Sequence, residues 1–168
     1  KNYTVLDAAC GTGYGSFILS KNSNKIISID VSKTAIEYAK INFKKKNIIF
    51  IKKDINKLNY SKKFDMIVSI ETIEHLDKKN SILWLKNCKR MLKKSGIFIC
   101  SSPMLRIKNN KPFITNPHHL HEMKKDEFIK NLKNIFKPKI FLSFIQNGST
   151  IKPLTDEKNG LCFTYIKI

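Results

Sequence analysis

The chain has 168 residues, of which 42% are hydrophobic, and its formal net charge is +19. We expect residues 1–168 to form a single domain, because this length suits one compact core and no apolar run is long enough to span a bilayer. The four scattered cysteines show neither CxxC spacing nor the density of a disulfide scaffold. We expect a cytoplasmic protein and, because the sequence begins at Lys1 directly before an apolar run, a missing N-terminal segment.

The positive charge alone does not predict a nucleic-acid partner. Among the 32 basic residues only Arg90 and Arg106 are arginine, and the lysines are spread along the whole chain. A surface that reads phosphate would more often use arginine, whose planar guanidinium matches phosphate geometry. We therefore interpret most of the charge as a solvated surface and keep RNA as an alternative partner.

Apolar runs and helical periodicity alternate along the chain. Strands are predicted at residues 4–8, 25–29, 48–51, 66–70, 97–100, 140–144 and 162–166. Helices are predicted at residues 33–45 behind Ser32 as N-cap, at 81–94 with Gly96 as the end, and at 125–136 before Pro138. This alternation predicts an α/β fold with a doubly wound, mainly parallel sheet that binds its ligand at the carboxyl ends of the strands.

The stretch VLDAACGTGYG, at residues 5–15, joins the first predicted strand to a helix. Gly11 and Gly13 permit a tight turn and a close approach to a ligand, but Ser16 stands where a dinucleotide-binding GxGxxG motif needs its third glycine. The Asp7 carboxylate at the strand end would repel a pyrophosphate and favour a ligand that carries an ammonium and a sulfonium group. Asp7, Gly11 and Gly13 therefore predict a site for S-adenosylmethionine.

Two further acidic residues end the next two predicted strands. Asp30 is placed to accept hydrogen bonds from both hydroxyls of a ribose, and Asp54 from an adenine amino group, with Ile55 packing on the ring. Either aspartate alone would be interpreted as a strand-end cap or turn residue. Because both follow the glycine loop in the chain, the two aspartates together indicate a binding site for a nucleoside.

Residues 5–145 resemble the class I S-adenosylmethionine-dependent methyltransferases. The resemblance rests on VLDAACGTGYGS, on the acidic strand ends at Asp30 and Asp54, and on the stretches FDMIVSIETIEHL and MLKKSGIFICSSP. It implies a Rossmann-like sheet of seven strands, mainly parallel, with an antiparallel last strand at residues 161–168. It also implies an enzyme that uses S-adenosylmethionine.

The residues that would face the methyl acceptor follow the fourth and fifth predicted strands. Glu71, Glu74 and His75 would share one side of a helical turn, and a histidine from residues 118–121 would complete a carboxylate and imidazole metal site. The set Glu71, Glu74, His75 and His119 is similar to that of the small-RNA 3′-terminal 2′-O-methyltransferases, in which four such groups hold a divalent ion. That resemblance implies a metal-dependent enzyme acting on RNA ends.

The stretches ETIEHL, NPHHLHE and FIQNGSTI are more similar to bacterial methyltransferases of surface-glycan assembly and natural-product tailoring. This resemblance implies a small-molecule or glycan acceptor and no bound metal. Histidine exchanges protons near neutral pH, so His75 or His119 is the expected base for a hydroxyl acceptor, while Glu71 lies near the sulfonium or orients the acceptor. Residues 101–122 are predicted to be a loop, long for a connection without regular structure, and are expected to form a substrate lid.

We therefore expect transfer of a methyl group from S-adenosylmethionine to an oxygen, or a nitrogen, of a small molecule or glycan. Two alternatives stay open. One is the metal-dependent RNA enzyme. The other is a module that keeps the fold but has lost its chemistry and serves as a binding partner.

Overall fold

The computed structural model describes residues 2–154 and 160–168 of the chain. Within these ranges the helices are α1 (Tyr14–Ser20), α2 (Lys33–Asn42), α3 (Lys78–Met91) and α4 (Lys125–Phe136). The strands are β1 (Thr4–Ala8), β2 (Lys25–Asp30), β3 (Ile48–Lys52), β4 (Phe64–Ser69), β5 (Leu92–Pro103), β6 (Arg106–Lys108), β7 (Lys111–Phe113), β8 (Ile140–Asn147), β9 (Thr150–Pro153) and β10 (Leu161–Lys167). Two short 3₁₀ turns cover Ile55–Lys57 and Ile73–His75.

The main sheet has the order β3-β2-β1-β4-β5-β10-β8-β9 in the described residues. Strands β1 to β5 pair in parallel, and β10 runs antiparallel to both of its neighbours, β5 and β8. The doubly wound, mainly parallel sheet with an antiparallel last strand is therefore confirmed. Because the order changes direction at β1, the carboxyl ends of β1, β2 and β4 border one crevice, which is where such sheets bind ligands.

The predicted count of seven strands is wrong, because the described part of the sheet has eight. The additional strand is β9, which pairs antiparallel with the edge of β8 through a two-residue turn. Gly148, at φ 57°, gives this turn its left-handed residue. All four residues of β9 are exposed and one of them is Pro153, so the segment has no apolar alternation from which to predict it.

The third helix begins and ends earlier than the predicted 81–94. Asp77 caps its start by accepting a hydrogen bond from the Asn80 amide at 2.9 Å, and the chain becomes extended at Leu92. The prediction that Gly96 ends this helix is wrong, since Gly96 lies within β5. The left-handed residue there is Ser95, at φ 64°. A Cβ on Gly96 would lie 2.9 Å from the carbonyl oxygen of Lys93, so close packing explains this glycine.

The other two predicted helices are confirmed to within a few residues. Ser32 caps α2, its hydroxyl accepting a hydrogen bond from the amide of Ala35 at 3.2 Å. Helix α4 ends at Phe136, where Lys137 turns left-handed at φ 47° directly before Pro138.

The core lies on both faces of the sheet. Alternate residues of β1 point to opposite sides, so that Val5 packs with Ile36 and Ala39 of α2, whereas Leu6 belongs to the larger cluster around Trp84 of α3. This larger cluster also contains the buried face of α4, whose Phe136 ring stacks on Phe98 at 4.8 Å between centroids. Helices on both faces fix the strand ends, and with them the crevice.

The segment 101–122, predicted to be a long loop, has regular structure in its first part. Strand β5 continues to Pro103, and β6 and β7 form an exposed antiparallel hairpin that turns at Asn109 and Asn110. The later residues of this segment are anchored to the turn that follows β4. The amides of Leu120 and His121 donate hydrogen bonds to the main-chain carbonyl of Glu74 at 2.8 and 3.2 Å. The histidine cluster is thereby held next to the turn after β4.

Candidate active site

The loop between β1 and α1 depends on two glycines for different reasons. Gly11 and Gly13 both have positive φ, of 52° and 90°. A Cβ on Gly13 would lie 2.7 Å from the Cβ of Ala39 and 2.9 Å from the Phe50 ring, whereas a Cβ on Gly11 would meet no atom within 4 Å. Gly13 therefore allows the loop to pack on α2 and β3, and Gly11 faces open space.

Asp30, the last residue of β2, holds this loop in place. One carboxylate oxygen accepts a hydrogen bond from the Gly11 amide and the other from the Ser32 amide, each at 2.8 Å. A carboxylate offers about four lone-pair positions, so each oxygen can accept a further hydrogen bond. The same side chain can therefore organise the loop and bind ligand hydroxyls.

Asp54 and Ile55 follow β3 at the neighbouring strand end. One oxygen of Asp54 accepts a hydrogen bond from the Asn56 amide at 2.9 Å and caps the first 3₁₀ turn. Ile55 is buried with 8% of its surface exposed. The second oxygen of Asp54 has no hydrogen-bond partner in the described part of the chain, so it is available to a donor group of a ligand.

These strand ends enclose a cavity of about 490 Å³, which we call the first cavity; its lining residues are Ala9, Gly11, Asp30, Val31, Asp54, Ile55, Glu71, Thr72, His75 and Leu76. Four of the six residues expected to bind the cofactor, Gly11, Asp30, Asp54 and Ile55, line it. Its volume lies within the range of about 300–1,000 Å³ that is usual for small-molecule sites.

Val31 lines the first cavity and was not expected from the sequence. Its side chain is 69% exposed, which is unusual for valine and leaves an apolar surface for a ligand ring. The sequence feature that could have indicated Val31 is its position directly after Asp30, the acidic residue at the strand end. Val31 and Ile55 give apolar contacts and Asp30 and Asp54 give acceptors, a combination that fits a nucleoside such as that of S-adenosylmethionine.

Asp7 and Gly13, the other two expected cofactor residues, lie behind the loop and do not line the first cavity. The Asp7 carboxyl group is 6% exposed and accepts a 2.6 Å hydrogen bond from the Ser16 hydroxyl. Burial raises the pKa of Asp7 to about 6, against the opposing effect of the Ser16 hydrogen bond. Ser16, noted in the sequence only as a missing glycine, thus has a definite role as the partner of Asp7.

Glu71 follows β4 in a left-handed conformation, with φ 49°. Ser101 of β5 stabilises it in two ways: its hydroxyl donates to a Glu71 carboxylate oxygen at 3.0 Å and accepts from the Glu71 amide at 3.1 Å. Burial raises the pKa of Glu71, while the Ser101 hydrogen bond acts in the opposite direction. A non-glycine residue held in this backbone region at a cavity wall is typical of a functional site.

A second cavity, of about 530 Å³, also contacts Glu71; its other lining residues are Pro103, Arg106, Thr115, Asn116, His119, Gln146, Gly148, Gly160 and Leu161. Glu71 is therefore shared by the two cavities. The reversed direction of β10 brings its first residue, Leu161, to the same edge of the sheet as the last residues of β8. Arg106 and Gln146 were not among the residues expected at the site: Arg106 belongs to no motif, and the stretch FIQNGSTI that contains Gln146 was noted only as a resemblance.

His75, one of the two expected bases, lies at the wall of the first cavity and is exposed. Its Nδ1 lies 3.0 Å from the main-chain carbonyl oxygen of His118. Because a carbonyl can only accept, Nδ1 carries the proton in a neutral ring and Nε2 carries the lone pair. Nε2 has no hydrogen-bond partner among the described residues, so it is free to take a proton.

His119, the other expected base, has hydrogen bonds at both ring nitrogens. Nδ1 lies 2.7 Å from a carboxylate oxygen of Glu122, and Nε2 lies 3.0 Å from the amide nitrogen of Asn116. The amide orientation is fixed because the Asn116 side-chain oxygen accepts from the His118 amide at 3.0 Å. Nε2 of His119 is thus an acceptor in the neutral ring, and its lone pair is already used.

Three of the four residues expected as alternative metal ligands lie close together. Glu74, His75 and His119 each offer a ligand atom within 4.8 Å of the others, and Glu71 is outside this group. The Glu74 carboxyl is fully buried and neither oxygen has a hydrogen-bond partner in the described ranges. Burial raises the pKa of Glu74 to about 8, so the group is mostly protonated at neutral pH.

The chain is similar to known methyltransferases over most of its length. A family model described as "Methyltransferase domain" matches residues 1–158. The chain belongs to this methyltransferase family. Over 125 residues it is 26% identical to a "Probable S-adenosylmethionine-dependent methyltransferase" of Mycobacterium tuberculosis, which covers 73% of this chain and 44% of that protein. Over 105 residues it is 34% identical to the ubiquinone biosynthesis O-methyltransferase of Pelagibacter ubique, covering 61% of this chain and 42% of that protein.

Solved structures show the same fold. The N-methyltransferase NodS of Bradyrhizobium japonicum superposes with a TM-score of 0.70 at 17% identity, covering 99% of this chain and 86% of that chain. The phosphoethanolamine N-methyltransferase 1 of Haemonchus contortus, solved with phosphoethanolamine and S-adenosylhomocysteine, superposes with a TM-score of 0.72 at 16% identity, covering 100% of this chain and 39% of that chain.

These similarities confirm the class I methyltransferase family, the fold and S-adenosylmethionine as the cofactor of this methyltransferase domain. The chain spans less than half the length of the two curated relatives named above, 44% and 42%. The acceptor and partners of the whole protein are therefore subjects for proposal. No helix in the described ranges is long and apolar enough to cross a membrane.

Proposed function

We propose that this domain transfers the methyl group of S-adenosylmethionine to an oxygen, or a nitrogen, of a small molecule or glycan. The observation that carries the proposal is the position of Glu71, which lines both the first cavity and the second. Two cavities that meet at one carboxylate suit a donor and an acceptor that must approach each other in line. The O-methyltransferase relative in ubiquinone biosynthesis supports an oxygen acceptor.

The first cavity suits the donor. Asp30 would accept the ribose hydroxyls, the free oxygen of Asp54 would accept the adenine amino group, and Val31 and Ile55 would contact the ring. Gly11 also lines this cavity, and no atom lies within 4 Å of the position that a Cβ would take there, so the loop leaves space for the ligand. Asp7 and Gly13 are assigned an indirect role, because Asp7 is bonded to Ser16 and Gly13 packs on Ala39. The bound cofactor supplies an electrophilic methyl group, so the protein's tasks are alignment and proton removal.

His75 is the better of the two candidate bases. Its Nδ1 proton is held by the His118 carbonyl, and its Nε2 lone pair faces no protein partner among the described residues. An oriented imidazole with one free lone pair can remove the proton of a hydroxyl acceptor. We assign His119 to positioning, because both of its nitrogens are engaged by Asn116 and Glu122.

Glu71 is assigned to orienting the acceptor beside the donor. Its backbone conformation and its carboxyl group are both held by Ser101, so it has little freedom to move. Holding donor and acceptor close together is the main contribution a protein makes to methyl transfer. The fixed near-attack arrangement reduces the entropy cost of bringing two molecules together in the reaction.

One observation favours a second candidate function, the metal-dependent methylation of RNA ends. Glu74, His75 and His119 offer three ligand atoms within 4.8 Å of one another. Binding there would require His119 to give up its hydrogen bond to either Asn116 or Glu122 and Glu74 to lose its proton, and both changes oppose metal binding. We therefore rank this function below the small-molecule enzyme.

The two functions are separated by one experiment. The 168-residue chain is incubated with S-adenosylmethionine labelled in the methyl group and with either an extract of small metabolites and glycans or an RNA with free 3′-terminal hydroxyls. We expect label in the small-molecule fraction, unaffected by EDTA. Label confined to RNA and abolished by EDTA would replace this function with the second candidate. Absence of heat on calorimetric titration with S-adenosylmethionine or S-adenosylhomocysteine would instead favour a non-catalytic binding module.

A further inference from the structure

The two arginines of the chain have different surroundings. The guanidinium of Arg90 donates to the main-chain carbonyl of Leu58 at 3.2 Å and to the side chain of Asn59 at 3.3 Å, so it fixes a loop. Arg106, the first residue of β6, is exposed, and its side chain has no hydrogen bond or ion pair in the part of the chain that the structure describes. Its five N–H donors are therefore available, and it lines the second cavity.

Arg106 is the only basic side chain other than histidine in the second cavity, among the described residues. Although 32 residues of the chain are lysine or arginine, no lysine of residues 2–154 or 160–168 lines this cavity. The remaining polar side chains are the neutral groups of Thr115, Asn116 and Gln146, the His119 ring, which is bonded to Glu122, and the carboxyl group of Glu71. The positive charge of this cavity is thus concentrated on one planar guanidinium.

Glu71 does not neutralise Arg106. The two side chains form no ion pair within 4 Å, and Glu71 is instead bonded to Ser101. The planar N–H donors of a guanidinium match the two oxygens of a carboxylate or the oxygens of a phosphate, and such charge-assisted hydrogen bonds are stronger than those between neutral groups.

We infer that the second cavity binds an acceptor carrying an anionic group, a carboxylate or a phosphate, and that the guanidinium of Arg106 holds that group. The inference rests on the proposed function, because it takes the second cavity as the acceptor site. The anionic group binds at the hairpin side of the cavity, and the atom to be methylated lies toward Glu71, where the two cavities meet. Arg106 is then a specificity-determining residue.

The test uses the fact that the chain has only two arginines. In the ¹⁵N-labelled 168-residue chain saturated with S-adenosylhomocysteine, the Nε–H resonances of Arg90 and Arg106 are followed during titration with benzoate, phenyl phosphate and, as the uncharged control, benzyl alcohol. We expect saturable shifts of the Arg106 resonance with at least one anion and none with benzyl alcohol. The stronger anion identifies a carboxylate or a phosphate as the preferred group. The Arg90 resonance should stay unchanged.

Variants test whether the guanidinium itself is responsible. Arg106→Met should weaken binding of the preferred anion by about 10- to 100-fold, as expected for the loss of charge-assisted hydrogen bonds. Arg106→Lys, which keeps the charge but loses the planar donors, should be intermediate. Lys108→Met is the matched control on the same hairpin and should bind the anion as the wild type does.

Three results would overturn the inference: no shift of Arg106 with either anion, equal shifts with benzyl alcohol, or an equal loss of affinity in Lys108→Met. Preferential binding of the cationic probe benzylamine would do the same and would direct attention to Glu71. Calorimetry with S-adenosylhomocysteine on the same samples keeps the two claims apart. If that ligand binds but the anions do not, only this inference fails, and if it does not bind, the proposed function fails whatever the anions do.

Discussion

His75 is oriented by the backbone of His118 and not by its side chain: Nδ1 of His75 and the main-chain carbonyl oxygen of His118 are 3.0 Å apart. The carbonyl belongs to the segment that docks on Glu74 through the amides of Leu120 and His121. The orientation of the proposed base therefore depends on a chain segment more than 40 residues away in sequence, and not on a neighbouring side chain.

The first prediction concerns this base. His75→Asn keeps a side-chain N–H that can donate to the His118 carbonyl but removes the proton acceptor. We expect kcat to fall by about 10²- to 10⁴-fold, the usual contribution of general base catalysis, with the affinity for S-adenosylhomocysteine nearly unchanged. His118→Ala, which keeps the carbonyl, is the control and should retain most of the activity. A fully active His75→Asn enzyme would remove His75 from the mechanism.

The second prediction concerns the donor site. Asp30→Asn removes the charge and one of the two acceptors that hold the Gly11 and Ser32 amides. We expect the affinity for S-adenosylhomocysteine, measured by calorimetry, to fall by about 10- to 100-fold through the loss of hydrogen bonds to a charged acceptor. Glu37→Gln, an exposed acidic position on α2 that pairs with Lys33 at 3.7 Å, should bind normally. Equal affinities for Asp30→Asn and wild type would show that this carboxylate does not contact the ligand.

The third prediction separates the two glycines of the loop. Gly13→Ala should lower the free energy of unfolding by about 2–4 kcal/mol, because a left-handed backbone and overpacking against Ala39 and Phe50 both add cost. Gly11→Ala should cost only about 1–2 kcal/mol from its backbone conformation, but its new methyl group would face the first cavity and weaken donor binding. Urea denaturation and calorimetry on both variants give the comparison, and similar stabilities would contradict it.

The fourth prediction follows from the pKa of Asp7, which burial raises from 3.8 to about 6. The folded state binds this proton more tightly than the unfolded state, so the stability due to protonation is present at low pH and lost as the pH rises through about 6. Relative to Asp7→Asn, which does not titrate, the wild type should lose about 2 kcal/mol of unfolding free energy between pH 4.5 and 6.5. Urea denaturation across this range tests it; a constant difference between the two proteins would mean that the carboxyl group has its ordinary pKa.

The sequence predicted the parts of the fold that depend on local pattern. Helix α2 could be placed because Ser32 precedes a clear apolar stripe, and β2 ends at Asp30 as predicted, whereas Asp54 lies two residues beyond Lys52, the last residue of β3. The end of α3 could not be placed, since the extension of the chain at Leu92 depends on its pairing with Phe64 of β4. The Asp77 cap at the start of α3 is a local contact with Asn80, so the sequence does contain a signal for it.

The candidate site shows the same division. Four of the residues predicted to bind the cofactor, Gly11, Asp30, Asp54 and Ile55, line one cavity, and their contact with the cofactor stays a prediction. The hydrogen bond between Glu71 and Ser101 could not be predicted, because the distance between these side chains is set by the packing of β4 against β5. Arg106 lies on the β6–β7 hairpin, within the residues that were predicted to be a loop.

Strand β9, which forms one edge of the main sheet, affects how readily folded domains associate in concentrated solution. A sheet edge offers unpaired N–H and C=O groups to any other extended chain, and Ile151 on β9 is 60% exposed. β9 is only four residues long, carries the charge of Lys152 and ends in Pro153, which has no N–H to offer. This short terminal strand therefore discourages edge-to-edge association, and so reduces the tendency of the folded domain to aggregate along that side.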